Sequence, residues 1–134
     1  MAIRVLLADD HEILRDGLSA LLGRDKDIHV VGAASNGLEA CELAKSLNPD
    51  VIVMDVSMPI LNGIEATQKI MSEMPDMKII ALTMHREKFY VNGIKASGAK
   101  GYLLKDCAFD QLRNAIHTIA NGDEYFENSL AVKV

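Results

Sequence analysis

The chain has 134 residues, of which 49% are hydrophobic and 25% charged, and this is enough apolar material for one globular domain with its own core. Its formal net charge is −5 at pH 7, so we do not expect this chain to bind nucleic acid, which requires clustered Lys and Arg. The chain has two cysteines, no apolar run near 20 residues and no signal-peptide pattern in Met1–Val5. These features predict a cytoplasmic protein without a membrane segment.

Short apolar runs alternate with amphipathic stretches, a pattern typical of an α/β domain with a parallel sheet. Most of the runs are continuously apolar, as expected of strands covered on both faces. The predicted strands are, in chain order, Ile3–Ala8, Ile28–Ala34, Val51–Met54, Ile79–Leu82 and Gly101–Leu104. Helical spacing of apolar residues predicts five helices, which contain Leu14–Leu21, Ala40–Leu47, Ile64–Met74, Glu87–Ser97 and Phe109–Ile119.

Four Asn-Gly pairs are predicted to lie in or beside helices rather than in hairpins. Asn36 and Asn62 are predicted to cap helix starts, and Gly122 is predicted to end the fifth helix in a left-handed conformation. Gly93 falls inside the fourth helix, where Gly costs about 1 kcal/mol relative to Ala. We therefore expect the fourth helix to be the least stable. Residues 123–134 are predicted to form a short loop followed by the first turn of a helix.

Polar side chains follow four of the predicted strands. Asp9 and Asp10 follow the first strand, and Asp55 follows the third. Thr83 and Lys105 follow the fourth and fifth strands. Because the carboxyl ends of parallel strands share one edge of a sheet, these side chains are expected to form one patch. Clustered carboxylates need a cation, and Mg²⁺ prefers oxygen ligands, so the patch predicts metal-assisted phosphoryl chemistry with an Asp as acceptor.

Each of these residues also has a structural interpretation when it is taken alone. Asp9 with Glu12 fits a helix capping box, and a strand Thr or a solvated Lys needs no function. The placement of a polar feature at four strand ends together favours the functional interpretation. The four histidines show no spacing that indicates a metal site, although His11 and His85 are expected at the rim of the patch.

The motifs around these residues resemble the receiver domain of two-component response regulators over nearly the whole chain. The matching segments are Leu7–His11, Asp55–Pro59, Asn62–Glu65, Leu82–Thr83 and Gly98–Asp106. The Lys105-Asp106 pair and the tail are most similar to the NarL/FixJ subfamily, whose members usually carry a LuxR-type helix-turn-helix effector. The resemblance implies a flavodoxin-like (CheY-like), doubly wound sheet of five parallel strands in the order 2-1-3-4-5, with helices on both faces. Residues 1–122 would form the receiver, and residues 123–134 would begin a linker toward a C-terminal effector.

The resemblance also implies a role for each residue of the patch. Asp55 would accept a phosphoryl group from the histidine of a sensor kinase, while Thr83 and Lys105 would contact its oxygens. Mg²⁺ would be held by four residues, Asp9, Asp10, Asp55 and Ser57, the last through its carbonyl group. Movement of Thr83 would let Tyr102 turn inward and change the surface of the fourth helix and fifth strand.

Phosphorylation is expected to strengthen a homodimer, because a paired DNA effector needs two copies. The dimer would form through the fourth helix and fifth strand, slightly favoured, or through the first and fifth helices. DNA itself would be bound by the C-terminal domain.

Two other classes of protein fit parts of the pattern. A phosphatase of the haloacid dehalogenase type needs a second Asp two residues after the nucleophile, where this chain has Ser57, so we do not expect an enzyme. A receiver-like interaction module that works without phosphorylation is the remaining alternative, and a phosphorylation assay separates it from a phosphoryl acceptor.

Overall fold

The computed structural model describes residues 2–84, 88–107 and 109–126, without the side chain of Lys88. Strands and helices alternate along the described residues. The strands are β1 (Ile3–Ala8), β2 (Ile28–Ala34), β3 (Val51–Asp55), β4 (Lys78–Thr83), β5 (Gly101–Leu104) and β6 (Tyr125–Phe126). The helices are α1 (Glu12–Leu22), α2 (Gly37–Leu47), α3 (Gly63–Glu73), α4 (Lys88–Ala96) and α5 (Phe109–Ala120). None of these helices is long and apolar enough to span a bilayer.

All strand pairs are parallel, and the sheet has the order β2-β1-β3-β4-β5-β6. The predicted doubly wound α/β fold and the order of its first five strands are therefore confirmed. The sixth strand is an addition to the predicted sheet. The sequence predicted a loop after Gly122, but Tyr125–Phe126 pairs with β5. A strand of two residues is too short to produce a hydrophobic period, which explains why it was not predicted.

The two faces of the sheet bury different layers of helices. On β1, Val5 and Leu7 belong to the cluster that also contains core residues of α1 and α5. Their neighbours Leu6 and Ala8 belong to the cluster that contains residues of α2 and α3. Side chains of a strand alternate between faces, so a strand that is covered on both sides must be apolar throughout. This double burial accounts for the uninterrupted apolar runs of the sequence.

Helix ends follow the predicted local chemistry. The Asn36 side chain accepts a hydrogen bond from the Glu39 N–H at 2.8 Å, and the Asn62 side chain accepts one from the Glu65 N–H at 2.9 Å. Each bond satisfies a backbone N–H that has no partner inside the first turn of its helix. Gly122 has φ of +98°, which confirms the left-handed end of α5.

A contact that the sequence did not indicate ties α5 to the loop between α1 and β2. His117 Nε2 lies 2.8 Å from Asp25 Oδ2, although the two residues are 92 positions apart. The hydrogen bond from His117, together with one from the Asp27 N–H, lowers the pKa of the Asp25 carboxyl group below its ordinary value. The Lys78 ammonium donates to the carbonyl of Ala120 at 3.0 Å. These contacts fix the C-terminal half of α5 against the domain.

β6 depends on a glycine in the neighbouring strand. Gly101 pairs with Tyr125, and the Tyr125 N–H donates to the carbonyl of Lys100 at 3.0 Å. A Cβ atom on Gly101 would overlap the carbonyl oxygen of Tyr125 and lie 2.8 Å from Ile119 Cδ1. The absence of a side chain at position 101 therefore lets β6 approach β5.

Side chains also hold β6 in place. The rings of Phe126 and Tyr102 lie 6.1 Å apart between centroids, and the Lys95 ammonium lies 4.9 Å from the centroid of Phe126. A ring contact and a cation–π contact each favour this arrangement. The last described residue is thus packed against both β5 and α4.

We predict that Gly101→Ala lowers the free energy of unfolding by about 1–3 kcal/mol, because the added methyl group has to displace β6 or Ile119. Gly17→Ala in α1 is the matched control. At Gly17 a methyl group meets no described atom within 4 Å, and Ala favours a helix over Gly by about 1 kcal/mol. Urea unfolding followed by circular dichroism measures both changes. Equal stabilisation by both substitutions would contradict the close approach of β6.

Candidate functional site

The carboxyl ends of β1, β3 and β5 bring an ammonium group between two buried carboxylates. Lys105 Nζ lies 2.9 Å from Asp55 Oδ2 and 3.3 Å from Asp9 Oδ2. The side chains of Asp55, Asp9 and Lys105 are only 1%, 4% and 9% exposed. The structure therefore brings together these three residues, which the sequence placed at three separate strand ends.

The two aspartates are oriented in the same way by the backbone that follows each of them. Asp9 Oδ1 accepts a hydrogen bond from the His11 N–H at 2.8 Å, and Asp55 Oδ1 accepts one from the Ser57 N–H at 3.1 Å. Hydrogen bonds from the backbone N–H two positions later to the side chain are common for aspartate in turns. In both residues this leaves Oδ2 facing Lys105.

The loop from β1 to α1 contradicts the capping-box interpretation of Asp9 with Glu12. The residue that caps α1 is His11, and its side chain makes no capping hydrogen bond. Asp9 lies two residues before that cap, and its carbonyl accepts a hydrogen bond from Arg15 Nη1 at 2.9 Å. The Asp9 carboxylate is thus turned toward the end of the sheet rather than toward the first turn of the helix.

The loop from β3 to α3 passes very close to the backbone of Asp55. The Gly63 N–H donates to the Val56 carbonyl at 2.8 Å, and a Cβ atom on Gly63 would overlap the carbonyl group of Asp55. Within this loop Ile60 has φ of +70°, which a branched side chain rarely adopts. The loop is therefore held tightly around the position of the buried carboxylate.

Burial and charge shift the pKa values of the two central groups. Burial raises the pKa of Asp55, and the charge of Asp9 adds to this effect, although the hydrogen bond from Lys105 opposes it. Burial alone would lower the pKa of Lys105, but its hydrogen bond to Asp55 and the charges of Asp55 and Asp9 outweigh this and raise it. The ammonium group therefore stays charged at neutral pH, while the Asp55 carboxylate is destabilised by its surroundings.

The oxygen atoms of the site fit a small divalent cation. Asp9 Oδ2 is buried and accepts no hydrogen bond from any described residue, although Lys105 lies nearby. Asp10, whose side chain is 32% exposed, adds a third carboxylate. One ligand atom from each of Asp9, Asp10 and Asp55 lies within 4.8 Å of the others. A set of carboxylate oxygens open to water on one side suits Mg²⁺, which retains several water ligands.

The remaining predicted site residues lie at different distances from this cluster. Thr83 is buried at the end of β4, and its carbonyl accepts the Lys105 N–H at 2.9 Å. Ser57 is exposed in the loop after β3, and its role as a carbonyl ligand stays a prediction. Tyr102 does not belong to the cluster: its ring is fully buried among residues of α4, β4 and β5. The inward position is already occupied in this structure, so its role as a switch also stays a prediction.

His11 is the site residue that sequence reasoning valued least. Its side chain is 62% exposed, and its Nδ1 lies 3.0 Å from Asp9 Oδ1 and 3.2 Å from Lys105 Nζ. The predicted place at the rim is confirmed for His11, whereas His85 lies outside the described residues. The available signal was its position directly after Asp9 and Asp10, but a lone histidine at a helix start is usually a simple surface residue.

Residues 5–117 match the family model of the response regulator receiver domain. The chain belongs to this family. It is 45% identical over 132 residues to the transcriptional regulatory protein LiaR of Bacillus subtilis, a match that covers 98% of the chain. It is 38% identical over 123 residues to the transcriptional regulatory protein DegU of Brevibacillus brevis, a match that covers 92% of the chain.

Solved structures agree with this assignment. A LuxR-family two-component response regulator from Aurantimonas sp. SI85-9A1 superposes with a TM-score of 0.93 at 33% identity, over 98% of this chain and 94% of that one. The receiver domain of the putative response regulator NarL from Mycobacterium tuberculosis gives 0.87 at 31% identity, over 90% and 98% of the two chains. The predicted NarL/FixJ-type resemblance is therefore confirmed. The chain spans only 52% of the DegU relative and 63% of the LiaR relative.

We predict that Asp55→Asn raises the midpoint of thermal unfolding at neutral pH without Mg²⁺, because it removes a buried charge that is repelled by Asp9. The folded-state pKa of Asp55 is raised, so the cost of its ionisation is present above that pKa and is lost as pH falls through it. The difference in unfolding midpoint between Asp55→Asn and the wild type should therefore become smaller in acid.

Differential scanning calorimetry across pH measures this difference, with Asp16→Asn on exposed α1 surface as the control. If Asp55→Asn is less stable than the wild type at neutral pH, this expectation is wrong. The attraction between Asp55 and Lys105 then contributes more free energy than burial of the carboxylate and its repulsion by Asp9 cost.

Proposed function

We propose that this receiver accepts a phosphoryl group on Asp55 from a sensor histidine kinase and passes the signal to a C-terminal DNA-binding effector. The observation that carries the proposal is the position of the Asp55 carboxylate, which is buried at the end of β3 between Asp9 and the Lys105 ammonium. A structural aspartate has no need of a second buried carboxylate beside it, since the two repel each other. A phosphoryl acceptor needs both a counter-charge and a cation site.

The chain's own residues would carry out the transfer as follows. An oxygen of Asp55 forms a bond to phosphorus while the bond between phosphorus and the donor nitrogen breaks, and that nitrogen keeps the electron pair. Lys105 is within reach to contact an oxygen of the group, because it already lies 2.9 Å from Asp55 Oδ2. Thr83 ends the adjacent strand β4 and would donate its hydroxyl hydrogen to another oxygen. The Ser57 N–H holds Asp55 in place during the step.

Mg²⁺ would be held by Asp9, Asp10, Asp55 and the Ser57 carbonyl, and it would offset the charge of the incoming phosphoryl group. The structure supports the three carboxylates through the close approach of their oxygens. Asp9 Oδ2, which is buried 3.3 Å from the Lys105 ammonium that it shares with Asp55, would gain further compensation from a cation. Asp10 is the most exposed of the three, so it would complete the site on the solvent side.

The rim of the site carries exposed apolar side chains, as expected of a surface that binds a protein phosphodonor. Ile13 on α1 is 90% exposed, and Met84 after β4 is 64% exposed. Together with Leu14 and Asp106 they surround an open depression that reaches His11 and Lys105. Exposed apolar side chains beside a charged acceptor would be covered when a kinase domain presents its phosphohistidine. This arrangement supports a sensor kinase as the partner.

We predict that the chain incubated with Mg²⁺ and acetyl phosphate gains one phosphoryl group that is labile to base, because Asp55 is the buried acceptor. Asp55→Asn should abolish the gain, while Asp16→Asn should leave it unchanged. Asp10→Asn should weaken both Mg²⁺ binding and the rate of transfer, because it removes a charged ligand.

Intact-protein mass spectrometry measures the added group. If the Asp55→Asn variant gains the group at the wild-type rate, the acceptor assignment is wrong. If the wild type gains none although it binds Mg²⁺, the chain is a receiver-like interaction module that works without phosphorylation.

The output is proposed to be self-association, which would pair two DNA-binding effectors that begin after a linker at 123–134. Two surfaces are available. One is formed by α4 and β5, where Phe89 is 80% exposed, and the other is formed by α1 and α5. The surface of α4 and β5 is slightly favoured because Tyr102 lies beneath it. β6 pairs with the edge of β5 that would otherwise be free.

We predict that Mg²⁺ with beryllofluoride, a phosphoryl mimic, shifts the monomer–dimer balance toward the dimer. Phe89→Ser on α4 should reduce this shift, because it removes an exposed apolar contact, whereas Leu38→Ser on α2, which is 43% exposed, should not. Analytical ultracentrifugation measures the balance. An unchanged balance while the mimic is bound would exclude dimerisation as the output.

A further inference from the structure

A strained residue lies in the loop that follows Asp55. Ile60 has φ of +70°, and across it the Leu61 N–H donates to the carbonyl of Pro59 at 2.7 Å. A hydrogen bond that spans one residue with such a φ forms a γ-turn of the rare, strained kind. Among the described residues other than glycine, only Asn48 also has a positive φ, and asparagine tolerates it far better than a β-branched residue does.

The side chain of Ile60 does not explain this conformation. It is 77% exposed, so burial of its own apolar surface does not offset the strain. A strained backbone persists only where the surrounding structure fixes it, and residues of this kind are often found at active sites. The cause of the strain therefore lies in the contacts that hold the two ends of the loop.

The first end of the loop is anchored in two parts of the core. Val56 is buried in the cluster that contains Tyr102, whereas Met58 is buried in the cluster that contains residues of α2 and α3. Ser57 lies between these two anchors, and its N–H donates to Asp55 Oδ1 at 3.1 Å. The orientation of the Asp55 carboxylate therefore depends on the path of this loop.

The far end of the loop is held between the starts of two helices. A Cβ atom on Gly63, at the start of α3, would overlap the carbonyl group of Asp55. A Cβ atom on Gly37, at the start of α2, would overlap the carbonyl oxygen of Leu61. Both glycines are buried. Each helix therefore approaches the loop at a position without a side chain, and the chain turns sharply at Ile60 between its anchors.

The turn at Ile60 connects α2 mechanically to the acceptor. The left-handed region that is open to a β-branched residue is small, so rotation at Ile60 cannot take up a shift of Leu61. Such a shift would instead move Pro59 and, through it, Ser57. The contact between Gly37 and Leu61 thus fixes backbone atoms that orient the buried carboxylate.

We propose that Gly37 is a positioning residue for phosphoryl transfer to Asp55. Its missing side chain lets α2 lie against the carbonyl of Leu61, and the strained turn at Ile60 passes this constraint to Ser57. The attacking oxygen must be aligned with phosphorus, and a misplacement of about 1 Å can cost about a hundredfold in rate. The inference rests on the proposed function, because it assigns a role in that reaction.

The first test compares rates of phosphoryl uptake from acetyl phosphate at saturating Mg²⁺, measured by intact-protein mass spectrometry. Gly37→Ala should lower the rate by about tenfold, because the added methyl group displaces the loop. Gly32→Ala in β2 is the matched control. Its methyl group would lie 2.6 Å from Leu47 Cδ1, the end of a flexible side chain at the other end of α2, and should leave the rate unchanged. A wild-type rate in folded Gly37→Ala would overturn the inference.

A second substitution separates positioning from a general loss of stability. Ile60→Gly lets the turn adopt other backbone angles, so it should absorb the shift of Leu61 and restore most of the rate that Gly37→Ala loses. Alone, Ile60→Gly should leave the rate close to that of the wild type, and the two substitutions should therefore be strongly non-additive. A loss of rate that Ile60→Gly does not restore would contradict transmission through the turn.

Leu61→Ala tests the same anchor without a backbone overlap and serves if Gly37→Ala does not fold. Leu61 packs against the core cluster of α2 and α3, and Leu47 packs against the same cluster without following Asp55 in the loop, so Leu47→Ala is the control. Amide hydrogen exchange at Ser57, measured by NMR, should become faster only in Leu61→Ala, and phosphoryl uptake should slow only in that variant. Equal exchange and equal uptake in the two variants would overturn the inference.

Failure of the proposed function would look different in these experiments. If the wild type gains no phosphoryl group, the acceptor assignment fails and the role of Gly37 fails with it. If the wild type is phosphorylated on Asp55 while Gly37→Ala and Leu61→Ala react at the wild-type rate, the acceptor assignment stands and only the role of Gly37 is wrong.

Discussion

Two buried carboxylates share one ammonium group at the end of the sheet, and the arrangement of the site depends on this interaction. Lys105 contacts the Oδ2 atoms of Asp9 and Asp55, which would otherwise repel each other in a region where water is largely excluded. Because the three residues follow β1, β3 and β5, the contact connects three strands at one edge. The backbone N–H groups of His11 and Ser57 donate to Oδ1 of each aspartate, so Oδ2 of each remains for the lysine.

The features that could be predicted from sequence are those fixed by local chemistry or by burial on both faces. Apolar runs such as Ile3–Ala8 predicted strands because a two-sided covering leaves no polar position. Asn36 and Asn62 predicted helix starts because their side chains replace missing backbone partners. The cluster of Asp9, Asp55 and Lys105 followed from topology, since parallel strands end at a common edge. Each of these features depends on a short segment of the chain and on one general physical rule.

The features that were missed depend on contacts between distant segments or on very short ones. His117 and Asp25 meet across 92 residues, and neither segment carries a local signal of the other. β6 has only two residues, and its position is determined by the missing side chain of Gly101, a property of another strand. His11 was undervalued because its environment consists of side chains from β1, β3 and β5, which only the folded structure brings together.

β6 also determines where the described part of the chain ends. Phe126 lies against Tyr102 and beneath the Lys95 ammonium, so the described chain ends at the edge of β5 and not at the end of α5. Only Asn121–Glu124 separates α5 from this strand, which leaves little slack. The end of the described chain is thus held next to the ring of Tyr102. A change in the packing of that ring would therefore act directly on β6, which lies four residues beyond the end of α5.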